Sequence, residues 1–404
     1  MNMSLIATGL IEELGTWRTY IATMLLAGVG AYCLTPFAHI AARRWGAMDV
    51  PNARKIHKSP MPRLGGLAVF GGFCSPWAAL YLLDNRVTAT FQNYEKLFAS
   101  LLLGSFAMLL LGVYDDIRGA DARKKFAIQI VVSLGLYAAG YRITALSLPF
   151  GQPAQIQLHW LSLPVSILWM VGVTNAINLL DGIDGLATGV TACIAICLGV
   201  INMMTGNIFV ALLTMCLAGA CLGFLPHNFA PARIFLGDSG SLSIGMLLGC
   251  IGVISLFKAA TVTFLAVPLL IFGLPLFDTA SVMVGRWLRG VPIFQADKTH
   301  VHHRLLALGL SQKQAAMALY SVAVLLGALG VVLTLRTTPQ LLAIASLVTL
   351  SITICTWIAW RAKTQRDREE AAEATAATTT TTPTTPSSSS SSPPSQQQPP
   401  ADPG

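Results

Sequence analysis

The chain has 404 residues, of which 54% are hydrophobic and only 11% are charged, and its formal net charge is +8. Soluble domains carry about 25% charged residues, so this composition excludes an ordinary soluble protein and indicates a polytopic membrane protein. The basic excess suits an anionic lipid surface rather than a nucleic acid, because it is concentrated in the segments that connect the apolar runs.

Apolar runs of about 20 residues recur along the chain, and each is long enough to cross a bilayer as a helix. The runs are continuously apolar rather than alternating, which favours helices over a transmembrane β-barrel. We therefore predict an all-α polytopic membrane protein with about eleven transmembrane helices. Their predicted ranges are 20–42, 64–83, 97–114, 125–140, 163–178, 187–204, 207–225, 239–257, 260–280, 314–335 and 339–360.

The connections between these helices differ in charge. Most of the 26 Lys and Arg residues fall on one side of the membrane when the N-terminus is placed outside, and the positive-inside rule assigns that side to the cytoplasm. The chain is thus predicted to have an outer N-terminal segment (1–19), a transmembrane domain with cytoplasmic loops (20–361) and a disordered cytoplasmic tail rich in Thr, Ser and Pro (362–404). The longest outer loop contains "QIQLHWLSL", whose alternation indicates a short hairpin.

Two acidic motifs stand out among these apolar runs, and charged residues at membrane depth usually line a polar cavity or a functional site. In "LGVYDDIRG", Asp115 and Asp116 are adjacent carboxylates that repel each other and favour a bound cation; a solvated helix end is the alternative. In "NAINLLDGIDGL", four polar residues spaced by three would form a stripe on one helix face if the turn is helical. The stripe comprises Asn175, Asn178, Asp181 and Asp184.

Three further segments on the predicted cytoplasmic side are rich in polar groups. In "FLGDSGSLSIG", Asp238 lies at a predicted helix start, where it could cap the helix or hold a metal. The histidines of "DKTHVHHR" lack a cysteine or an HExxH motif that would complete a transition-metal site. They are therefore interpreted as hydrogen-bond donors to an anionic substrate. The loop "DVPNARKIHKSPMPRLGG" is either a positive-inside anchor or a phosphate-binding loop.

Oxygen ligands from several loops suit Mg²⁺, with Mn²⁺ as the alternative, and Mg²⁺ is typically shared with substrate phosphates. The nucleotide-binding motifs GxxxxGK[ST] and GxGxxG are absent from the sequence. Carboxylates, Mg²⁺ and basic loops at one membrane face together indicate phosphoryl chemistry on a lipid.

Four of these motifs, in this order, resemble those of the polyprenyl-phosphate N-acetylhexosamine-1-phosphate transferases, the glycosyltransferase 4 family that includes the MraY, WecA and TagO enzymes. They are the DD pair at 115–116, NAINLLDGIDGL at 175–186, GDSGSL at 237–242 and HVHHR at 300–304. The resemblance covers residues 20–315, and the basic and histidine loops are most similar to the WecA/TagO branch. It implies transfer of a sugar-1-phosphate, expected to be GlcNAc-1-phosphate, from a UDP-N-acetylhexosamine to undecaprenyl phosphate, with release of UMP. It also implies a bacterial inner membrane location with the active site on the cytoplasmic face.

The resemblance further implies roles for individual residues. The expected catalytic residues are Asp115, Asp116, Asp184, His302 and His303. The expected substrate-binding residues are Lys55, His57, Arg63, Asn175, Asn178, Asp181, His300 and Arg304. The expected metal ligands are Asp238, Asp116 and Asp181.

Several alternatives stay open at the level of sequence. An MraY-like transferase would use UDP-MurNAc-pentapeptide, and an aspartyl-phosphate intermediate would replace direct attack by the lipid phosphate. A secondary transporter would place its charges near the membrane midplane between two related halves, whereas these charges lie at one face. A CDP-alcohol phosphotransferase is disfavoured because "DGIDGLATG" lacks the arginine of that signature. The UDP-sugar, the polysaccharide pathway and a homodimer in place of a monomer are not determined by the sequence.

Overall fold

The structure is a computed structural model that describes residues 3–51, 59–81, 93–147, 155–257, 266–290 and 300–335. Within these residues the fold is almost entirely helical. The helices are α1 (Met3–Trp45), α2 (Gly65–Tyr81), α3 (Glu95–Arg118), α4 (Ala122–Ala139), α5 (Ser162–Leu180), α6 (Leu186–Met204), α7 (Ile208–Asn228), α8 (Gly237–Gly252), α9 (Ala266–Ile271), α10 (Gly273–Leu288), α11 (Val301–Ala307) and α12 (Gln312–Leu335).

Seven helical stretches among the described residues are long and apolar enough to cross a membrane. They are Trp17–Trp45, Glu95–Arg118, His159–Leu180, Leu186–Met204, Ile208–Asn228, Gly237–Ser255 and Gln312–Thr334. The prediction of an all-α polytopic membrane protein is confirmed, whereas the number of eleven spans and the orientation of the termini stay predictions. The predicted helix 339–360 and the tail 362–404 lie outside the described residues.

The predicted helix 260–280 is wrong as a single element, because α9 ends at Ile271 and α10 begins at Gly273. Proline has no backbone N–H, so Pro275 cannot donate the helical hydrogen bond to the carbonyl of Ile271. The apolar run continues through this point, and hydropathy alone therefore could not locate the break.

Helices α7 and α8 form the centre of the bundle, and α1 packs along α7. The most apolar part of α8 is 94% buried, whereas that of α1 is 28% buried, so α8 is surrounded by protein and α1 keeps a lipid-facing surface. Gly219 on α7 allows this close packing, because a Cβ there would lie 2.0 Å from the Met24 carbonyl oxygen.

Two short antiparallel sheets connect the helices. Strand β1 (Met48–Asp49) pairs with β2 (Met61–Pro62), and β3 (Ala145–Ser147) pairs with β4 (Gln155–Gln157). The predicted hairpin in "QIQLHWLSL" is correct only in its first three residues, because these pair with an upstream strand while His159–Leu161 forms a 3₁₀ turn.

A candidate active site at one end of the helix bundle

A cavity of about 810 Å³ opens at the end of the bundle where α5 and α7 end and where α8 and α12 begin. Its wall is formed by loops and helix ends with many polar groups, rather than by helix centres. The lining residues are Asp49, Ser59, Met61, Arg63, Asn178, Asp181, Gly182, Ile183, Asp184, Asn228, Ala230, Pro231, Ala232, Phe235, Gly237, Asp238, His303, Ser311, Gln312 and Lys313. The structure therefore brings most of the separated polar motifs into one space.

The N-terminus of α8 is capped by a residue from another helix. The backbone N–H groups of Asp238 and Ser239 donate to the two carboxylate oxygens of Asp116, each at 3.0 Å. The Asp116 side chain is fully buried, and the Arg63 guanidinium lies 3.7 Å away. An anion is favoured at this position because the first N–H groups of a helix lack partners within it. The prediction that Asp238 could cap its own helix is wrong, since Leu236 is the N-cap residue and makes no side-chain cap.

Because Asp238 does not cap α8, its carboxylate is available to the cavity, where it forms part of a polar cluster. Its Oδ1 accepts a hydrogen bond from the Asn178 amide at 2.7 Å, and its Oδ2 accepts one from Lys125 Nζ at 2.9 Å. The same Lys125 ammonium group donates to Asp115 Oδ2 at 2.6 Å. Lys125 thus joins the end of α3 to the start of α8 by pairing with one carboxylate on each.

Lys125 was not predicted from the sequence as a functional residue. It lies in the basic run "RKK" at the start of α4, which reads as an ordinary positive-inside segment. In the sequence, Lys125 follows the acidic pair by about ten residues, with the turn at Gly119 between them, and this spacing was the available signal. Only the packing of the helices showed which of the three cations in the "RKK" run faces the carboxylates.

The turn that follows α5 carries Asp181 and Asp184 to the cavity. Helix α5 ends at Leu180 and Asp181 is its C-cap residue, so the predicted helical stripe does not continue through Asp184. The Asp184 carboxylate accepts a hydrogen bond from the Ala232 N–H at 2.9 Å and so fixes the opposite wall. Asn175 contacts Gln129 on α4 instead of lining the cavity.

Asp181 lies close enough to Asp238 and Asp116 for their negative charges to act on it. Burial, together with the negative charges of Asp238 and Asp116, raises its pKa to about 8. Repulsion between carboxylates in a shared cavity is relieved when a cation enters, so Asp181 favours a positively charged ligand.

The three histidines of the HVHHR motif occupy different environments, and only His303 among them lines the cavity. His302 is 1% exposed, and neither of its ring nitrogens has a hydrogen-bond partner among the residues that the structure describes. Burial and the neighbouring histidines lower the pKa of His302 to about 4. His300 Nδ1 lies 2.8 Å from Asp278 Oδ2, a pairing that fixes the start of α11. Arg304 is exposed on α11, away from the cavity lining.

The basic loop contributes Arg63, which lies 3.3 Å from Asp49 as well as beside Asp116. Arg63 therefore places a positive charge between the short β1–β2 sheet and the capped start of α8. The two other residues predicted in this loop, Lys55 and His57, lie outside the described residues.

Within the described ranges, no group of three or more His, Cys, Asp or Glu side chains is arranged to hold a metal ion. Mg²⁺ does not require such a cage, since it commonly uses one or two carboxylates and completes its shell with water and substrate phosphates. Asp181, Asp238 and the Asn178 amide line the same cavity, and this set of oxygen donors fits Mg²⁺. Asp116 does not line the cavity, and both of its carboxylate oxygens accept backbone N–H groups of α8, so its contact with a metal stays a prediction.

The chain is similar to known membrane transferases. The model of the family described as Glycosyl transferase family 4 matches residues 98–256. The chain is 35% identical over 301 residues to the probable undecaprenyl-phosphate N-acetylglucosaminyl 1-phosphate transferase of Bacillus subtilis, covering 74% of this chain and 81% of that protein. It is 35% identical over 318 residues to the decaprenyl-phosphate N-acetylglucosaminephosphotransferase of Mycolicibacterium smegmatis, covering 73% and 77%. It is 31% identical over 281 residues to the phospho-N-acetylmuramoyl-pentapeptide-transferase of Clostridium beijerinckii, covering 68% and 83%.

Proposed function

This chain belongs to glycosyl transferase family 4, and on that premise we propose that it transfers N-acetylglucosamine-1-phosphate from UDP-N-acetylglucosamine to undecaprenyl phosphate, with release of UMP. The two N-acetylglucosamine-type relatives are 35% identical to it, and the muramoyl-pentapeptide relative is 31% identical. These identities support the smaller sugar as donor over the MraY-like alternative.

One observation carries this proposal: carboxylates and cations from several separate segments of the chain meet around one cavity at the end of the helix bundle. A phosphoryl transfer between two anionic substrates requires charge compensation and positioning more than covalent help from the protein. Arg63 and His303 line the cavity, and in this proposal they bind the substrate phosphates. The carboxylates of the cavity bind the divalent cation.

The proposed reaction needs no general base on the protein. An oxygen of the lipid phosphate attacks the β-phosphorus of the UDP-sugar, the bond from that phosphorus to the bridging oxygen breaks, and UMP leaves with the electron pair. A phosphate monoester has a second pKa of about 6, so the attacking group is already a dianion at neutral pH. Asp115 is engaged by Lys125 at 2.6 Å, which suits a positioning role better than proton removal.

The protein's own residues position the Asp238 carboxylate. Asp116 fixes the start of α8, and Asn178 and Lys125 then orient the Asp238 carboxylate toward the cavity. Asp181 and Asp238 would hold Mg²⁺, which when bound would neutralise the pyrophosphate charge.

We also propose that this end of the bundle faces the cytoplasm of a bacterial inner membrane. Basic side chains flank the helix ends that meet at the cavity, including Arg43 and Arg44 on α1 and Arg118 on α3. The positive-inside rule assigns such an end to the cytoplasm, where UDP-sugars are made.

A reconstitution assay tests this function. Purified protein with Mg²⁺ and undecaprenyl phosphate receives UDP-GlcNAc, UDP-GalNAc or UDP-MurNAc-pentapeptide, and UMP and lipid-linked sugar are quantified. We expect lipid-dependent UMP release with UDP-GlcNAc, lost with EDTA and in Asp238→Asn, and retained in the exposed control Asp121→Asn. A preference for UDP-MurNAc-pentapeptide would establish the MraY-like alternative, and UMP release without lipid would indicate a covalent enzyme intermediate or hydrolysis.

A further inference from the structure

The turn of residues 181–185 brings two carboxylates to the cavity but has little structure of its own. Its internal hydrogen bonds are those from Asp181 N–H to the Asn178 carbonyl and from Leu186 N–H to the Ile183 carbonyl. Gly185 adopts φ +78°, a left-handed conformation that permits the reversal into α6. Something outside the turn must therefore hold Asp181 in place.

The segment that begins with α11 and continues into α12 contacts this turn at three points. The Tyr320 hydroxyl donates to the Gly185 carbonyl at 2.6 Å. The Asp184 N–H donates to Gln312 Oε1 at 3.3 Å. The His302 ring packs against Gly182, where a Cβ would lie 2.2 Å from Nε2. The turn is thus held from one side by residues more than 100 positions later in the chain.

The contact made by Tyr320 does more than satisfy the hydrogen-bonding capacity of its own hydroxyl. The Gly185 carbonyl already accepts the first helical hydrogen bond of α6, from the Gly189 N–H at 2.9 Å, so α6 does not require the tyrosine. The ring lies directly over Gly189, where a Cβ would be 2.1 Å from the tyrosine Cζ. Packing over this glycine fixes the ring, and the hydroxyl is then available to fix the turn.

We propose that Tyr320 is a positioning residue for nucleotide binding, acting through the 181–185 turn that carries Asp181 and Asp184 to the cavity. This inference rests on the proposed function, since it takes the cavity to be the UDP-sugar site. Tyr320 does not line the cavity, so it acts without touching the substrate, and Gln312 supports the same turn from the rim.

The test compares Tyr320→Phe with Ser321→Ala in full-length protein. The first removes only the hydroxyl and keeps the ring over Gly189. The second removes a hydroxyl from the next residue of the same helix, where it donates to the Met317 carbonyl of that helix. Dissociation constants for UDP are measured by calorimetry in the presence of Mg²⁺, and kcat and KM for UDP-GlcNAc by UMP release.

We expect Tyr320→Phe to weaken UDP binding and to raise KM by about 3- to 10-fold, the range for one lost hydrogen bond, with kcat changed by less than about 2-fold. Ser321→Ala should match wild type in both. In an Asp181→Asn background, Tyr320→Phe should weaken UDP binding by less than about 2-fold, because the group that it positions has already been altered.

Each other outcome contradicts a defined part of the argument. Wild-type UDP affinity in Tyr320→Phe overturns the positioning role, and so does an equal loss of affinity in both backgrounds, which would indicate a general loss of structure. Wild-type protein that binds UDP but releases no UMP overturns the proposed function alone, because the ratio of UDP affinities still decides the role of Tyr320.

Discussion

Replacing Asp116 by asparagine should destabilise the protein and inactivate it through one cause. The carboxylate accepts two backbone hydrogen bonds at 3.0 Å from the start of α8, and it is fully buried. Asparagine keeps one acceptor oxygen but places an amide N–H against the second backbone N–H. Hydrogen bonds to charged groups contribute about 1.5–3 kcal/mol and neutral ones about 1 kcal/mol, so loss of one and weakening of the other costs about 2–4 kcal/mol.

The start of α8 should then shift and move Asp238 away from Asn178 and Lys125, with loss of UMP release. Thermal unfolding in detergent should show a Tm about 2–5 °C lower than that of wild type. Asp121→Asn is the control, because Asp121 is exposed and makes no side-chain hydrogen bond at the start of α4; we expect it to keep wild-type activity and a Tm close to wild type. If Asp116→Asn loses activity at an unchanged Tm, the capping argument is refuted and Asp116 acts directly in the chemistry.

Three further outcomes are expected. Lys125→Met should lower kcat by about 100-fold, because two carboxylates lose their shared cation, while the exposed neighbour Lys124→Met stays within about 2-fold of wild type. Gly185→Ala should destabilise the fold by about 1–2 kcal/mol through its positive φ, whereas Gly172→Ala, where a Cβ would meet nothing within 4 Å, should not; a matching Tm for both would contradict this. The pKa of His302 is lowered to about 4 in the folded state, so the unfolded chain takes up a proton below pH 6.5 that the folded chain excludes. Stability should therefore be fully present above pH 6.5 and fall as the pH decreases toward 4, and a His302→Phe variant with the same fall between pH 7 and pH 5 would show that other groups cause it.

The sequence was sufficient for the fold class and for the region of the site. Continuous apolar runs can only be helices in a lipid environment, and the acidic, amide and histidine motifs between them were conspicuous because charge is costly there. Asn178, Asp181, Asp184, Asp238, Arg63 and His303 were all identified in this way, and all of them line one cavity.

What the sequence left undecided is which polar group faces which. Asp115 and Asp116 are adjacent and chemically identical, yet one pairs with Lys125 and the other caps α8. Successive residues on a helix point about 100° apart, so their different partners depend on the position of α3 against α8.

Tertiary structure also decided the contacts that cross long stretches of chain. Composition and local spacing determined that the protein is a helical membrane protein with a polar face, because these properties act within one or two helical turns. The capping of α8 by Asp116, the selection of Lys125 from a basic run, and the support of the 181–185 turn by Tyr320 were decided by packing. They join residues more than 100 positions apart, and no local pattern contains the geometry that brings such residues together.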